Sequence, residues 1–166
     1  ETLCYIYHSL EGTKTNVIRP FNVYGPGMQE NDYRVLPNFA SQIKKGKSLK
    51  IYGSGNQTRT FCYVTDAIQG FLRVITSGIP GEPYNIGNVS PEISIMDLVK
   101  KIMAISNNPI NYDVIDYPDS YPADEPNRRA PDIKKAKVQL GYIPKVSLDE
   151  GLKRFLKWTD ANYSSS

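Results

Sequence analysis

The chain has 166 residues, 40% of them hydrophobic and 22% charged, and its 20 Lys+Arg against 17 Asp+Glu give a formal charge of +3. With a mean hydropathy of −0.43, this excludes a fibrous or intrinsically disordered chain and suits about one globular domain. No window approaches the roughly 18 consecutive apolar residues that span a bilayer, and Glu1-Thr2-Leu3-Cys4-Tyr5 lacks the features of a signal peptide, so a cytoplasmic protein with no membrane partner is expected. The basic residues scatter instead of forming a stripe interleaved with aromatics, which argues against nucleic acid. Two cysteines, Cys4 and Cys62, and one histidine, His8, cannot build a disulfide framework, a four-ligand zinc site or a two-His metal motif, so no metal site is expected.

In chain order, Leu3, Ile6, Tyr7 and Leu10 recur at helical spacing from the first residues, with Gly12 as the stop. The absence of room for an N-cap reads as a helix that begins before Glu1. Thr15 to Arg19 is a short strand closed by Pro20. A helix over about Tyr33 to Lys45 carries Leu36, Phe39, Ala40 and Ile43 on one face and stops at Gly46. Ser48 to Tyr52 is a strand, Gly53 to Gln57 a glycine-rich turn able to hold φ > 0, and Arg59 to Val64 another strand. Thr65-Asp66 resembles an N-cap for a helix from Ala67 to Ile75. Pro83 to Gly87 is a strand, and Ser94-Ile95-Met96-Asp97 has capping-box spacing, with Asp for Glu, ahead of Leu98, Ile102 and Ile105. Ile110 to Ile115 is a strand and Tyr117 to Pro131 a polar, Pro-rich loop. Helices over Ile133 to Leu140 and Leu148 to Trp158, the second capped by Ser147, precede a Ser164-Ser165-Ser166 tail expected to fray. The alternation of strands and helices is that of an α/β protein, without internal repeats.

Several chemistries are excluded. A Ser-His-Asp or Cys-His site would have to use His8, which has no nucleophile motif such as G-x-S-x-G beside it. Gly53-Ser54-Gly55 lacks the Gly-Lys-Ser/Thr ending of a P-loop and leads into a strand. No G-x-G-x-x-G dinucleotide fingerprint occurs in the chain. What remains is polar residues at element ends. Arg19 to Pro26 follows a strand, where open α/β sheets bind ligands, yet Asn22 could equally satisfy the backbone of a Pro/Gly-punctuated turn. Tyr52 to Arg59 is either a surface hairpin or a loop that aims Arg59 into a pocket, its guanidinium a planar fork for phosphate oxygens. Arg128-Arg129 either binds an anion or pairs with neighbouring carboxylates.

Four segments carry a resemblance: Arg19-Pro20-Phe21-Asn22-Val23-Tyr24-Gly25-Pro26; Ile51-Tyr52-Gly53-Ser54-Gly55-Asn56-Gln57-Thr58-Arg59-Thr60-Phe61 with Tyr63-Val64-Thr65-Asp66-Ala67; Tyr84-Asn85-Ile86-Gly87; and Pro131-Asp132-Ile133 before Ala136-Lys137 and Leu140-Gly141-Tyr142. In order and spacing the chain resembles the extended short-chain dehydrogenase/reductase family of NAD-dependent nucleotide-sugar epimerases, dehydratases and decarboxylases. It is most similar to UDP-glucuronate decarboxylases and their 4-epimerase and dTDP-glucose 4,6-dehydratase relatives. The resemblance implies the C-terminal half of such an enzyme: the last piece of a Rossmann-like NAD(P)-binding fold over 1–30, to which 59–80 returns, and a smaller α/β substrate-binding domain over most of 31–166. The family's Tyr-x-x-x-Lys pair would lie just upstream of Glu1 and its glycine-rich fingerprint further upstream, so no catalytic residue is expected in this chain.

The same resemblance implies binding roles. Pro20 and Phe21 would approach the nicotinamide end of NAD, and Asn22 would bond the diphosphate of a UDP- or dTDP-hexose. Leu36, Pro37 and Asn38 would lie near sugar and base, and Lys50, Ile51 and Tyr52 would flank the nucleobase. Arg59 and Arg129 would clamp the diphosphate, with Arg128 a rival for the second place, and Asn85 would lie near ribose and phosphate. A homodimer is implied for the complete enzyme, acting by transient oxidation at C4 followed by epimerisation, elimination or decarboxylation. The alternative is a non-catalytic sugar-nucleotide or NAD(P)-sensing protein of the same fold. A stand-alone interaction module is disfavoured, since it would expose the strand edge at Thr15 to Arg19.

Overall fold

A computed structural model describes residues 1–106, 109–117 and 126–165. Its elements run α1 (Thr2–Glu11), β1 (Val17–Pro20), β2 (Val23–Tyr24), α2 (Val35–Lys44), β3 (Leu49–Tyr52), β4 (Thr58–Arg59), β5 (Cys62–Tyr63), α3 (Val64–Ser77), β6 (Pro83–Ile86), β7 (Ile93–Ser94), α4 (Ile95–Ile105), β8 (Tyr112–Ile115), β9 (Arg128–Arg129), α5 (Lys134–Leu140) and α6 (Leu148–Asn162). The chain separates into two compact units. The first holds Glu1–Val23, Thr60–Pro91 and Ala130–Val146, and the second Tyr24–Arg59, Glu92–Arg129 and Ser147–Ser166. The mixed α/β class read from the sequence is what the structure shows.

In the first unit β1 and β6 pair in parallel, Val17 opposite Pro83 and Pro20 opposite Ile86. Cys62, Ala67, Val74, Tyr84, Ile86, Ile133, Ala136, Leu140 and Tyr142 form its core, with Ile18, Val23 and Phe71 packed against them. Gly70 lets α3 approach β6, because a Cβ there would meet Ile86 Cγ2 at 2.6 Å and Tyr142 Cε2 at 3.0 Å. Gly12 ends α1 at φ 66°, the left-handed conformation that stops helices. No residue of α1 is buried, so Leu3, Ile6, Tyr7 and Leu10 lie on an uncovered apolar surface.

In the second unit α2, α4 and α6 pack on one another or on β3, around Leu36, Phe39, Leu49, Ile51, Leu98, Ile102, Leu152 and Phe155. β3 pairs with β8 in parallel, Leu49 opposite Tyr112. A separate three-stranded sheet has the order β7-β4-β9. Ser147 caps α6 by accepting from the amide of Glu150, a cap of the kind worth about 1 kcal/mol.

Several sequence expectations are corrected. The strand expected over Arg59 to Val64 is two short pieces, β4 and β5, and the boundary between the units falls between Arg59 and Thr60. α3 starts at Val64, not after an Asp66 cap, and no side chain caps it. The Asp66 carboxylate is buried and accepts instead from the amides of Lys145 and Val146 at 2.9 and 2.8 Å. At α4 the Ser94 hydroxyl accepts from the Asp97 amide as expected. Asp97, one methylene shorter than Glu, bonds that hydroxyl and not the Ser94 amide. Strands β2, β7 and β9 are two residues each, too short to show a period of two. Of the loop expected from Tyr117 to Pro131, residues 118–125 lie outside the described residues, as does Ser166 of the tail.

Candidate functional site

In the first unit the expected residues gather where β1 and β6 end. The Phe21 amide donates to Ile86 O at 2.9 Å, extending the parallel ladder by one bond. Asn22 follows at φ 44° and is the non-glycine residue with positive φ among those described. Asn tolerates this region better than branched residues, and such strain collects at functional sites. Its geometry is held from both sides: Asn22 Nδ2 donates to Thr60 O at 2.7 Å, and Asn22 O accepts from the Cys62 amide at 3.1 Å. Asn85, opposite Arg19 in the ladder, donates from Nδ2 to Asp132 O at 3.0 Å.

Gly87 and Tyr142 stand in the sequence motifs without a role assigned to them, and Cys62 reads there only as a free thiol; the structure brings all three to this edge. A Cβ on Gly87 would come within 2.9 Å of Phe21 Cβ and 3.0 Å of Pro131 Cγ, so only glycine allows that approach. The Tyr142 hydroxyl donates to Gly87 O at 3.2 Å and lies 3.6 Å from Cys62 Sγ. Burial pushes the Cys62 thiol up to about 11 and the Tyr142 phenol above its ordinary value, so both stay neutral. The signal in the sequence was Gly87 closing the Tyr84-Asn85-Ile86 strand.

In the second unit the three arginines come together. Arg59 and Arg129 are direct partners across the parallel β4–β9 ladder, and Thr58 is the partner of Arg128. Side chains alternate along a strand, so Arg59 and Arg129 share one face while Thr58 and Arg128 take the other. Arg59 is only 6% exposed; its Nη1 donates to Thr58 O at 2.8 Å and to Asn127 O at 3.4 Å. Arg129 is exposed. Arg128 forks onto Glu92, Nε to Oε1 at 2.9 Å and Nη2 to Oε2 at 2.8 Å.

The remaining expected residues separate by exposure. Ile51 is fully buried, and Leu36 and Pro37 are buried core residues of α2, so their side chains serve packing. Asn38 is half-buried and Lys50 exposed. Tyr52 stacks on Tyr117, ring centroids 6.0 Å apart and planes at 21°. Gly53, at φ 64°, makes room for that ring, since a Cβ would meet Tyr117 Cε2 at 2.6 Å. Among the described residues no group of three or more His, Cys, Asp or Glu could hold a metal ion, and no helix is long and apolar enough to cross a membrane.

The NAD dependent epimerase/dehydratase family matches residues 1–87, more than half of the chain. The chain belongs to this family. UDP-glucuronic acid decarboxylase 1 of Danio rerio is 40% identical over 160 residues, covering 95% of this chain and 36% of the relative. UDP-glucuronic acid decarboxylase 3 of Arabidopsis thaliana is 40% identical over 152 residues, covering 92% of this chain and 43% of the relative. Among solved structures, UDP-glucuronic acid 4-epimerase of Bacillus cereus, in complex with UDP-glucuronic acid and NAD, superposes with a TM-score of 0.87 at 32% identity. The match covers 98% of this chain and 50% of that one. A dTDP-glucose 4,6-dehydratase of Streptomyces venezuelae with NAD bound gives 0.84 at 27% identity, covering 97% and 48%. The chain thus spans half or less of the length of the family members it matches, and the family membership read from four motifs is shown.

Proposed function

We propose that this chain is the nucleotide-sugar-binding part of an NAD-dependent enzyme that oxidises a UDP- or dTDP-hexose at C4 and then epimerises, dehydrates or decarboxylates it. The observation that carries the reading is Arg59 beside Arg129 on one rung of the β4–β9 ladder. Two guanidiniums on one face offer paired planar forks, and a diphosphate supplies about two negative charges that suit them. The second unit, with Arg59, Arg129 and Tyr52, then serves as the substrate-binding part. The first serves as a portion of the Rossmann-like domain.

The first unit fits the nicotinamide end of NAD. Pro20 and Phe21 stand at the carboxyl edge of a parallel strand pair, where open sheets bind ligands, and Gly87 lets Phe21 and Pro131 pack closely there. Bound NAD would supply the hydride acceptor. The chain's own contribution is to hold Asn22 and to orient the diphosphate, for residues 1–166 contain neither a Tyr-x-x-x-Lys pair nor a G-x-x-G-x-x-G fingerprint. The names of the matched decarboxylases, epimerase and dehydratase support this reaction class. A homodimer for the complete enzyme goes with it, supported by the exposed Leu3, Ile6, Tyr7 and Leu10 and tested by sedimentation.

Calorimetric titration of the chain with UDP, dTDP, NAD⁺ and pyrophosphate tests the proposal. UDP or dTDP should bind more tightly than NAD⁺, and incubation with NAD⁺ and UDP-glucuronate should yield no 4-keto or pentose product. Binding of NAD⁺ without UDP or dTDP would overturn the assignment of substrate-binding residues, and turnover would overturn the binding-only role.

A further inference from the structure

β9 is held beside β4 by their main-chain ladder and by a carboxylate that neither strand contributes. Arg59 and Arg129 face the same way on one rung and Arg128 follows on the next, so pairing β9 with β4 concentrates three guanidiniums within two residues of ladder. Like charges directly opposed weaken a sheet. Arg128 finds its carboxylate in Glu92, the residue just before β7, and β7 pairs with the other edge of β4, Thr58 opposite Ser94 and Arg59 opposite Ile93. Glu92 Oε1 accepts from Thr58 Oγ1 at 2.6 Å and from Arg128 Nε at 2.9 Å, while Oε2 accepts from Arg128 Nη2 at 2.8 Å. One carboxylate therefore ties the segment entering β7 to the central strand and to β9. Beside it the Thr58 amide donates to Asn127 O at 2.8 Å, a main-chain bond joining β4 to the approach of β9.

We propose that Glu92 is a positioning residue that, through Arg128 and Thr58, sets Arg129 alongside Arg59 to receive a nucleoside diphosphate. This rests on the nucleotide-sugar reading above. Thr58 and Arg128 point to the face opposite Arg59 and Arg129, so the clasp holds the strand without occupying the ligand side. Arg128 accordingly serves as the handle of β9 and Arg129 as its ligand-facing group.

The test combines calorimetry with amide exchange on the whole chain, with UDP as the probe. Glu92→Ala and Arg128→Ala should each weaken UDP about tenfold, a loss of about 1.4 kcal/mol. Glu92→Gln should fall between, since it keeps acceptor geometry without charge. In an Arg129→Ala background Glu92→Ala should add less than about threefold, because a positioning residue has nothing left to position. Independently of ligand, exchange of the Thr58 amide should accelerate about tenfold in Glu92→Ala, while that of Ile95, which donates to Gln57 O, stays unchanged. Full additivity of the Glu92 and Arg129 losses overturns the proposal. So does unchanged affinity or tighter UDP binding on removing Glu92, the latter being the result if a released Arg128 were itself the phosphate ligand. If the unmodified chain binds no UDP, the nucleotide reading fails; unchanged Thr58 exchange then overturns the clasp separately.

Discussion

Arg59 and Arg129 occupy the same rung but different environments, and truncating each to alanine should separate binding from folding. Arg59 is buried and gives Nη1 to Thr58 O at 2.8 Å, with a longer contact to Asn127 O. Hydrogen bonds from a charged group contribute about 1.5–3 kcal/mol, so Arg59→Ala should lower unfolding free energy by roughly that amount as well as weaken UDP. Arg129 is exposed, and its truncation should leave stability within about 0.5 kcal/mol. For either arginine, losing a charge-assisted, bidentate contact to a diphosphate should cost about ten- to a hundredfold in UDP affinity, at about 1.4 kcal/mol per factor of ten. Lysine should restore part of the affinity at 129, since it keeps the charge but not the fork. Urea unfolding monitored at Trp158, paired with calorimetric titration of UDP and dTDP, measures both quantities. The reasoning is refuted if Arg129→Ala binds UDP like the unmodified chain, or if it destabilises as much as Arg59→Ala.

Gly70→Ala should destabilise the first unit by about 1–2 kcal/mol in urea: overpacking against the fully buried Ile86 and Tyr142 costs about 1–3 kcal/mol, partly offset by about 1 kcal/mol of helix propensity. A neutral substitution would mean that this core yields. Acid should weaken the fold as well. Lys45 beside Glu30, Arg34 beside Asp32 and the Thr58 hydroxyl with Arg128 beside Glu92 hold these carboxyls below their ordinary values of 4.5, 3.8 and 4.5. Groups with lowered folded values contribute stability above their unfolded values and lose it as pH falls through the folded ones. The urea midpoint should therefore fall as pH drops below about 4.5, and a midpoint flat between about pH 5 and 3 would contradict this. Thiol labelling of the native chain at about pH 8 should modify Cys4 well before Cys62, whose thiol burial raises to about 11. Equal rates at both cysteines would show that the first unit opens readily.

Helices over 2–11, 35–44, 95–105 and 148–162 were legible in the sequence because each repeats apolar residues at three and four and most carry a local stop or cap. Gly12, Ser94 and Ser147 act through bonds within a few residues, and such information is contained in a short window. Family membership was legible too, because Asn22, Gly53-Ser54-Gly55, Arg59 and Pro131-Asp132 stand in a fixed order. What the sequence could not carry was pairing. Asp66 reads locally as a cap, but amides nearly eighty residues away claim its carboxylate. Arg128 and Arg129 are adjacent and chemically alike, and only the register of β9 against β4 puts one opposite Thr58 and the other opposite Arg59. Glu92 carries no motif at all; it becomes the partner of Arg128 once β7 has formed on the far edge of β4. Local periodicity fixes which face of an element is apolar, whereas the choice among equivalent polar side chains is made by long-range register, which depends on every strand in the sheet.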